Sequence, residues 1–335
     1  MSLGWPFEEY TGYDLYLLDT QQKKLQRLTT DKRIVNETVE LSPDARYVAF
    51  LRGADKSGYP VHGLSGFGQE KISLCVLDTK TEKESVVATN QLVGIGGFAW
   101  MPDNTLLYTA QTPATAGANA SKPTAKKSVA APRPAIYAIS ATGENKRMLI
   151  SDAWRPLPSP DGRRIAFFGA ENPDKPEPLS TSWEENPKGA SLCVADGDGK
   201  NRKPLNREDV NYPAAVWTPD AKYLVVIKTL QDGNLSHAAM RKYDVTTGTF
   251  EKLGALHARD SEPLPRPLSQ MPPFTPIAIS NDGKFLYTKT EEYGEQDKVT
   301  SMYNLYTTLL AVNLKDGNTQ MVAKLKNAYG IDWHG

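Results

Sequence analysis

The chain has 335 residues, and its 39 basic and 39 acidic residues give a formal net charge of zero. This balance provides no general attraction to nucleic acid or to an anionic membrane surface, so we predict no nucleic-acid partner. No apolar run is long enough to cross a bilayer, which predicts no membrane insertion. Residues 1–6 lack the basic and apolar segments of a signal peptide, so none is expected in this chain.

The chain opens with two short β-rich runs, Leu15–Asp19 and Leu25–Leu28, which predict a hairpin. A Pro-Asp or Asn-Asp word then recurs at intervals of about sixty residues, a period typical of repeat architectures. Its five copies are Leu41–Asp44, Trp100–Asp103, Pro158–Gly162, Trp217–Asp220 and Ile279–Gly283. A β-rich run follows each copy, so the word is predicted to be a tight turn between two strands, a and b.

The aspartates of these turns do not predict acid–base catalysis. They stand in separate repeats, which would hold them too far apart for two carboxylates to share one reaction. We interpret them as structural residues, because Asp accepts hydrogen bonds from the backbone of its own turn.

A second hairpin, of strands c and d, follows each b strand and turns at pairs such as Thr142-Gly143 and Asp198-Gly199. With the N-terminal hairpin there are six c–d hairpins, but only five a–b words. The last run, Tyr329–Trp333, matches the a strands that precede the other turns. Its pairing with the first hairpin would complete a sixth unit and leave no open sheet edge.

We therefore predict an all-β, six-bladed β-propeller of four-stranded antiparallel blades. The N- and C-terminal strands would pair within one blade and close it. Residues 1–335 are expected to form this single domain.

Buried and polar positions alternate along the predicted a strands. Trp100, Trp217 and Trp333 hold one phase and are expected in the core between blades. The other phase is expected to form a polar channel wall; it carries Glu40, Arg155 and Asp332.

The two cysteines, Cys75 and Cys193, stand in matching words two repeats apart. Equivalent positions in separate blades are too distant for a disulfide, so both are expected to be buried thiols.

The segment Ser159–Phe167 joins a Pro-Asp-Gly turn to an Ile-Ala-Phe strand, and the repeat pattern continues with an Ile-Tyr-like strand and an Arg-x-Leu ending. This pattern resembles the TolB-type, WD40-like propeller repeat, and the resemblance extends over essentially the whole chain. The resemblance implies a propeller fold and, for location, the periplasm or cell envelope of a bacterium. It implies no particular activity, because propellers host many unrelated functions.

Long connections are predicted mainly between strands b and c. They cover residues 52–71, 112–134, 169–189 and 291–303, with a shorter one at 228–238 and a long d–a connection at 254–274. All of these lie at one end of the predicted blades, so a binding role is expected there. The range 112–134 is rich in Ala, Pro, Lys, Ser and Thr and is predicted to be a low-complexity insertion without packed structure.

Aromatic, imidazole and charged groups at this end are the candidate ligand-binding residues, because they supply stacking and charged contacts. They are Tyr59, His62, Arg155, Trp183, His237, His257, Arg259 and Asp332. Packing of Trp183 onto the propeller and exposure of the histidines to solvent are open alternatives. No histidine pair has metal-ligand spacing, no Gly-rich loop opens a helix and no G-x-S-x-G elbow is present. We therefore predict no metal, no cofactor and no catalytic residue.

These features favour a monomeric, non-enzymatic module that binds a protein, peptide or saccharide at the b–c end and channel mouth. One alternative is a metal-dependent polysaccharide lyase or hydrolase in the channel. It requires His62, His237 and His257 to lie within about 10 Å of one another, since metal–nitrogen bonds are near 2 Å. Another is the gate propeller of a prolyl oligopeptidase-type peptidase that lacks its catalytic domain.

Overall fold

A computed structural model describes most of the chain in twelve segments. They are residues 14–19, 24–31, 34–53, 72–89, 97–112, 133–170, 190–206, 214–232, 235–257, 275–296, 303–316 and 318–326. The described segments contain 22 β-strands. These segments contain no helix that is long and apolar enough to cross a membrane.

The strands follow one another in short antiparallel steps. The first ten are β1 (Tyr16–Asp19), β2 (Lys24–Arg27), β3 (Ile34–Leu41), β4 (Tyr47–Gly53), β5 (Ile72–Asp78), β6 (Glu84–Thr89), β7 (Phe98–Trp100), β8 (Thr105–Gln111), β9 (Pro134–Ser140) and β10 (Arg147–Ser151). The next six are β11 (Ala153–Pro158), β12 (Arg164–Ala170), β13 (Ala190–Asp196), β14 (Lys203–Asn206), β15 (Ala214–Trp217) and β16 (Tyr223–Asp232). The last six are β17 (Leu235–Asp244), β18 (Phe250–His257), β19 (Thr275–Ile279), β20 (Phe285–Gln296), β21 (Tyr303–Asn313) and β22 (Thr319–Lys326).

Each group of four consecutive strands from β3 onward forms one antiparallel sheet, so the predicted four-stranded blades are confirmed. The described residues contain five such blades, and β1 with β2 forms a separate two-stranded sheet. The predicted count of six complete blades is therefore corrected to five for this part of the chain. The strand expected to complete a sixth, Tyr329–Trp333, lies outside the described residues.

The chain divides into two compact units with their boundary between Pro156 and Leu157, inside β11. In the first unit, Leu15 and Ile34 pack with Phe50, while Leu74 packs with Trp100 of the next blade. In the second unit, a matching cluster joins the blade β15–β18 to the blade β19–β22; its buried members are Val225, Met240, Ile279, Leu286, Val312 and Leu314. Apolar faces of successive blades are thus the core of each unit.

Two tryptophans link successive blades by hydrogen bonds as well as by packing. Trp100 Nε1 donates to the carbonyl of Glu40 over 3.0 Å, and Trp217 Nε1 donates to the carbonyl of Leu157 over 2.8 Å. Both indole rings are buried, which confirms the predicted inter-blade role. Trp333 lies outside the described residues.

Both cysteines are buried and free, as predicted. Burial raises the pKa of the Cys75 thiol to about 12, with the Glu84 carboxylate acting in the same direction. A neutral, enclosed thiol is a packing residue, because the thiolate is the reactive form.

The recurring word forms a tight turn with a shared hydrogen-bond pattern. In the first copy, Ser42 Oγ donates to Asp44 Oδ1 over 2.6 Å and accepts the N–H of Tyr47 over 2.9 Å. The Arg46 N–H also donates to Asp44 over 3.0 Å. The same hydroxyl–carboxylate contact occurs at three further turns, in the pairs Ser159/Asp161, Thr218/Asp220 and Ser280/Asp282. The predicted structural role of these aspartates is confirmed.

Two predicted loops are strands instead. Residues 228–238 lie mostly in β16 and β17, which pair from Tyr223↔Asp244 out to Asp232↔Leu235. Residues 291–303 likewise lie largely in the long hairpin of β20 and β21, and residues 254–257 extend β18. The prediction ended each strand where polar residues began, but backbone hydrogen bonds extend a hairpin whatever its side chains are. The pair Asp232-Gly233 is a hairpin-turn signal that could have corrected the first of these errors.

Candidate functional site

The structure describes three of the eight candidate residues. Arg155 lies in β11, and His237 and His257 lie in β17 and β18. The other five are outside the described residues; they are Tyr59, His62, Trp183, Arg259 and Asp332.

Arg155 has an unusual backbone. Eight described residues other than glycine have positive φ, and six of them occupy the repeated a–b and c–d turns. The other two, Asp152 (φ 49°) and Arg155 (φ 52°), lie where β10 passes into β11. A left-handed conformation costs a residue with a side chain about 1–2 kcal/mol, so the surrounding structure must hold Arg155 in place.

Thr109 of β8 provides part of that restraint. The Arg155 N–H donates to Thr109 Oγ1 over 3.0 Å, and Thr109 is only 2% exposed. The Thr109 N–H in turn donates to the carbonyl of Gly97 over 2.6 Å. Arg155 itself is exposed. A buried hydroxyl therefore fixes the backbone of an arginine whose side chain reaches the surface.

An ion pair lies next to this restraint at the b–c end of the blade β7–β10. Arg133 Nη1 is 3.1 Å from Asp152 Oδ1, with the Asp152 side chain 9% exposed. The Arg133 backbone is also bonded to Thr112, since the Thr112 N–H donates to the Arg133 carbonyl over 2.7 Å. The predicted insertion covers residues 112–134, so this hydrogen bond joins its first residue, Thr112, to a residue near its end.

We name Thr109, Thr112, Arg133, Asp152 and Arg155 the Arg155 cluster. Its two guanidinium groups and one carboxylate give a formal charge of 2 − 1 = +1. Residues 113–132 contain three lysines and no acidic residue, so this stretch of the sequence is basic in a chain that is neutral overall.

The two described histidines occupy directly opposed positions. His237 of β17 is the register partner of His257 of β18, and Leu230 of β16 is the partner of His237 on its other side. The metal-site alternative stays a prediction, because His62 lies outside the described residues.

The turn carboxylates form no shared site. Hydrogen bonds from Ser280, and then from Lys284, lower the pKa of Asp282 to about 2. The Ser42 hydroxyl is the main cause that lowers the pKa of Asp44. Asp44 and Asp282 are thus each held ionised by their own turn. Within the described segments, no group of three or more His, Cys, Asp or Glu side chains could hold a metal ion.

Sequence reasoning missed Thr109, Arg133 and Asp152, and it took Arg155 only as one residue of a channel wall with Glu40 and Asp332. Glu40 is half-buried in β3, and its carbonyl accepts the Trp100 bond. A buried threonine that receives an N–H from a residue 46 positions away has no local signature. The prolines at 132 and 134 around Arg133 could have marked the root of the insertion.

Comparisons with known proteins reveal the fold and leave the function undetermined. No protein-family model matches the chain, and no curated protein matches it by sequence. TolB from Acinetobacter baumannii superposes with a TM-score of 0.53 at 15% identity, over 95% of this chain and 60% of that one. The fold is that of the TolB-like β-propellers.

Two further structures extend this comparison. A putative TolB from Agrobacterium tumefaciens has a TM-score of 0.54 at 13% identity, over 95% of this chain and 91% of that one. An oligogalacturonate lyase in complex with manganese has a TM-score of 0.53 at 16% identity, over 93% of this chain and 70% of that one. The resemblance predicted from the repeat is confirmed at the level of the fold. The chain spans about three-fifths of the length of the Acinetobacter protein.

Proposed function

We propose that this protein is a non-enzymatic binding module whose Arg155 cluster recognises an acidic polypeptide segment. The observation that carries the proposal is the left-handed, exposed Arg155 held by the buried Thr109 hydroxyl. Strained backbone that the surrounding structure maintains is typical of ligand-binding sites.

Charge favours an anionic ligand. Arg133 pairs with Asp152, and the sequence between Thr112 and Arg133 carries three lysines and no acidic residue. Arginine binds carboxylates through two parallel N–H donors, which makes it the usual residue for such recognition.

Composition favours a polypeptide over a saccharide. Sugar rings are commonly bound against aromatic faces, yet neither the Arg155 cluster nor residues 113–132 contain an aromatic residue. A segment with three lysines and no acidic residue instead suits an acidic chain, because opposite charges attract.

The direct test measures binding of a fluorescein-labelled poly-glutamate peptide by fluorescence anisotropy at low and high salt. We expect wild-type binding that weakens as salt rises, because exposed charges are screened beyond about 10 Å at 0.1 M salt. Arg155→Ala should weaken binding about tenfold, which corresponds to about 1.4 kcal/mol. Replacing Lys122, Lys126 and Lys127 together by alanine should weaken it further and reduce the salt dependence.

Arg147→Ala is the matched control. Arg147 is an exposed arginine at the start of β10, in the blade before the one to which Arg155 belongs, and it lies at the c–d end of that blade. Its replacement should leave the affinity unchanged. Equal losses from Arg155→Ala and Arg147→Ala would mean that only general charge attracts the peptide, and no binding at low salt would refute the proposal.

The same titration distinguishes the saccharide and lyase alternatives. Oligogalacturonate is the probe, with manganese added and the unsaturated product followed by its ultraviolet absorbance. Binding of this saccharide without binding of the peptide would replace the polypeptide proposal. Release of unsaturated product would establish an enzyme.

Several finer features belong to the same proposal. Tyr59, His62, Trp183, Arg259 and Asp332 would add contacts to the ligand from the b–c end and channel mouth. Residues 329–333 would complete a sixth blade with β1 and β2, which predicts a large loss of stability on deletion of 327–335. Light scattering tests the monomeric state, and fractionation of the bacterial source tests the proposed periplasmic or envelope location.

A further inference from the structure

The N-terminal hairpin is joined to the first blade by side-chain contacts. The hairpin is the two-stranded sheet of β1 and β2, with four residues in each strand, and the first blade is the sheet of β3–β6. A two-stranded hairpin is at best marginally stable by itself. Its attachment therefore depends on packing against the blade, where Leu15 and Leu28 meet Phe50 and Cys75.

Arg52 of β4 forms a charged bridge across this joint. Its Nη1 pairs with Asp31, which follows β2, and its Nη2 pairs with Glu84 of β6. The guanidinium carbon also lies 5.4 Å from the centre of the Phe50 ring. The Arg52 side chain is 12% exposed, so water screens these ion pairs less than it screens pairs on the surface. One side chain thus connects three segments of the chain.

The arginine belongs to the hairpin joint and not to the repeat. Pairing of strands b and c begins at Tyr47↔Asp78 in the first blade, and Arg52 is the fifth residue after Tyr47. The same count from the matching register pair gives no arginine in the other four blades. The residues at this position are Ala110, Gly169, Lys228 and Thr290.

We propose that the hairpin is a latch that opens as one unit, and that Arg52 is the residue that keeps it closed. Opening uncovers an apolar surface of the first blade that includes Phe50, Cys75 and Leu77. Arg52 Nε is buried and has no hydrogen-bond partner among the described residues. A buried donor without a partner opposes the closed state, so the bridge holds the latch without fixing it permanently. The latch contains no residue of the Arg155 cluster and does not depend on the proposed acidic ligand.

The two cysteines can report this opening. Cys75 is 0% exposed and packs in one cluster with Leu15 of the hairpin. Cys193 is also 0% exposed and has the matching place in the blade β11–β14, since it pairs with Phe167 as Cys75 pairs with Phe50. Proteins open locally in cooperative units. Opening of the hairpin alone should therefore expose Cys75 and leave Cys193 enclosed.

The test measures how fast a thiol reagent labels Cys75 and Cys193 at pH 8 in the folded, full-length protein, with the labelled peptides resolved by mass spectrometry. Arg52→Met removes the charge and keeps an unbranched side chain. It should speed the labelling of Cys75 at least about tenfold and leave the rate at Cys193 unchanged, because losing one partner of an enclosed ion pair is strongly destabilising. Arg52→Lys keeps the charge but lacks the planar fork that bonds two carboxylates, so its rate at Cys75 should be intermediate.

Arg46→Met is the matched control. Arg46 directly precedes β4, pairs with Asp78 over 3.0 Å and has its guanidinium carbon 5.0 Å from the centre of the Tyr47 ring. Its side chain is 45% exposed, and exposed ion pairs contribute little, so both labelling rates should stay at the wild-type values.

Hydrogen exchange is the second readout, because it follows the hairpin itself. The Leu28 N–H donates to the Leu15 carbonyl over 2.8 Å, so opening breaks a hydrogen bond that protects this amide. Peptides covering residues 14–31 should exchange faster in Arg52→Met than in wild type, in step with the labelling of Cys75.

Equal acceleration at Cys75 and Cys193 in Arg52→Met would overturn the proposal, since it would mean that the whole protein had lost stability. Faster labelling of Cys75 without faster exchange of residues 14–31 would also overturn it, as would the same effect from Arg46→Met. If Arg52→Met does not fold, Asp31→Asn takes its place, with the same pattern expected at a smaller size. Arg52→Met should bind poly-glutamate as wild type does, so failure of either proposal leaves the other standing.

Discussion

Exchange of alanine and glycine at the left-handed position of the a–b turns should stabilise the protein at one turn and destabilise it at another. The residue after each turn aspartate has positive φ in all five copies of the word. These residues are Ala45 (55°), Asn104 (62°), Gly162 (69°), Ala221 (57°) and Gly283 (70°). Glycine reaches this region without steric cost, whereas alanine does not. We therefore expect Ala45→Gly to stabilise the protein.

The magnitude follows from three contributions. Relief of the left-handed conformation is worth about 1–2 kcal/mol. The greater freedom of glycine in the unfolded chain offsets about 0.4–1 kcal/mol of that. Ala45 is exposed, so no burial is lost and the net gain is about 0.5–1 kcal/mol. Ala221 is only 6% exposed, so Ala221→Gly also loses a buried methyl worth about 0.8 kcal/mol and should be nearly neutral.

Gly283→Ala is the reciprocal variant. A Cβ at Gly283 would meet no atom within 4 Å, so conformation alone determines its cost. It should destabilise the protein by about 0.5–1 kcal/mol. Urea denaturation measures all three, with the variants compared at an unchanged dependence of free energy on urea concentration. A lowered midpoint for Ala45→Gly, or an unchanged one for Gly283→Ala, would refute this account of the turns.

Three further predictions concern the core and the turns. Trp217→Phe keeps an aromatic ring but leaves the Leu157 carbonyl without the indole donor. It should lower the free energy of unfolding, measured in urea, by about 1–3 kcal/mol. An unchanged free energy of unfolding would show that water replaces the bond. Asp282 has a folded-state pKa of about 2 against 3.8 for the free side chain, so its contribution to stability is present above pH 3.8 and is lost as the pH falls toward 2. Asp282→Asn should therefore be less stable than wild type at pH 5, and the stability difference between the two proteins should shrink as the pH falls from 3.8 toward 2. A stability difference that stays constant over this range would contradict the prediction. Both cysteines should resist a thiol reagent at pH 8 in the folded protein and react only after unfolding, because Cys75 has a pKa of about 12 and both are buried; rapid labelling of native protein would disprove the burial.

Arg155 offers a related test of whether strain is kept for function. Arg155→Gly should relieve the left-handed conformation and raise stability by up to about 1 kcal/mol, whereas Arg155→Ala should not. Both should weaken binding of the acidic peptide. Stabilisation by glycine together with loss of binding is the expected pattern of a strained binding residue.

The repeating word by itself determined the blade. Turn residues, short β-rich runs and paired hairpin signals are local, so their order along the chain predicted four antiparallel strands per unit. The phase of Trp100 and Trp217 predicted inter-blade burial for the same reason, since alternation along a strand follows from its geometry. The isolated positions of Cys75 and Cys193 likewise sufficed to predict buried thiols.

Only the tertiary structure decided where the candidate sites lie. The restraint of Arg155 by Thr109 joins residues 46 positions apart, and the register of His237 with His257 depends on how far a hairpin extends. The predicted strand stopped before Lys228 because polar residues begin there, although the backbone hydrogen bonds with β17 continue to Asp232. Hydrogen bonds between strands are made by every residue type, so sequence patterns mark the buried part of a sheet and not its full length.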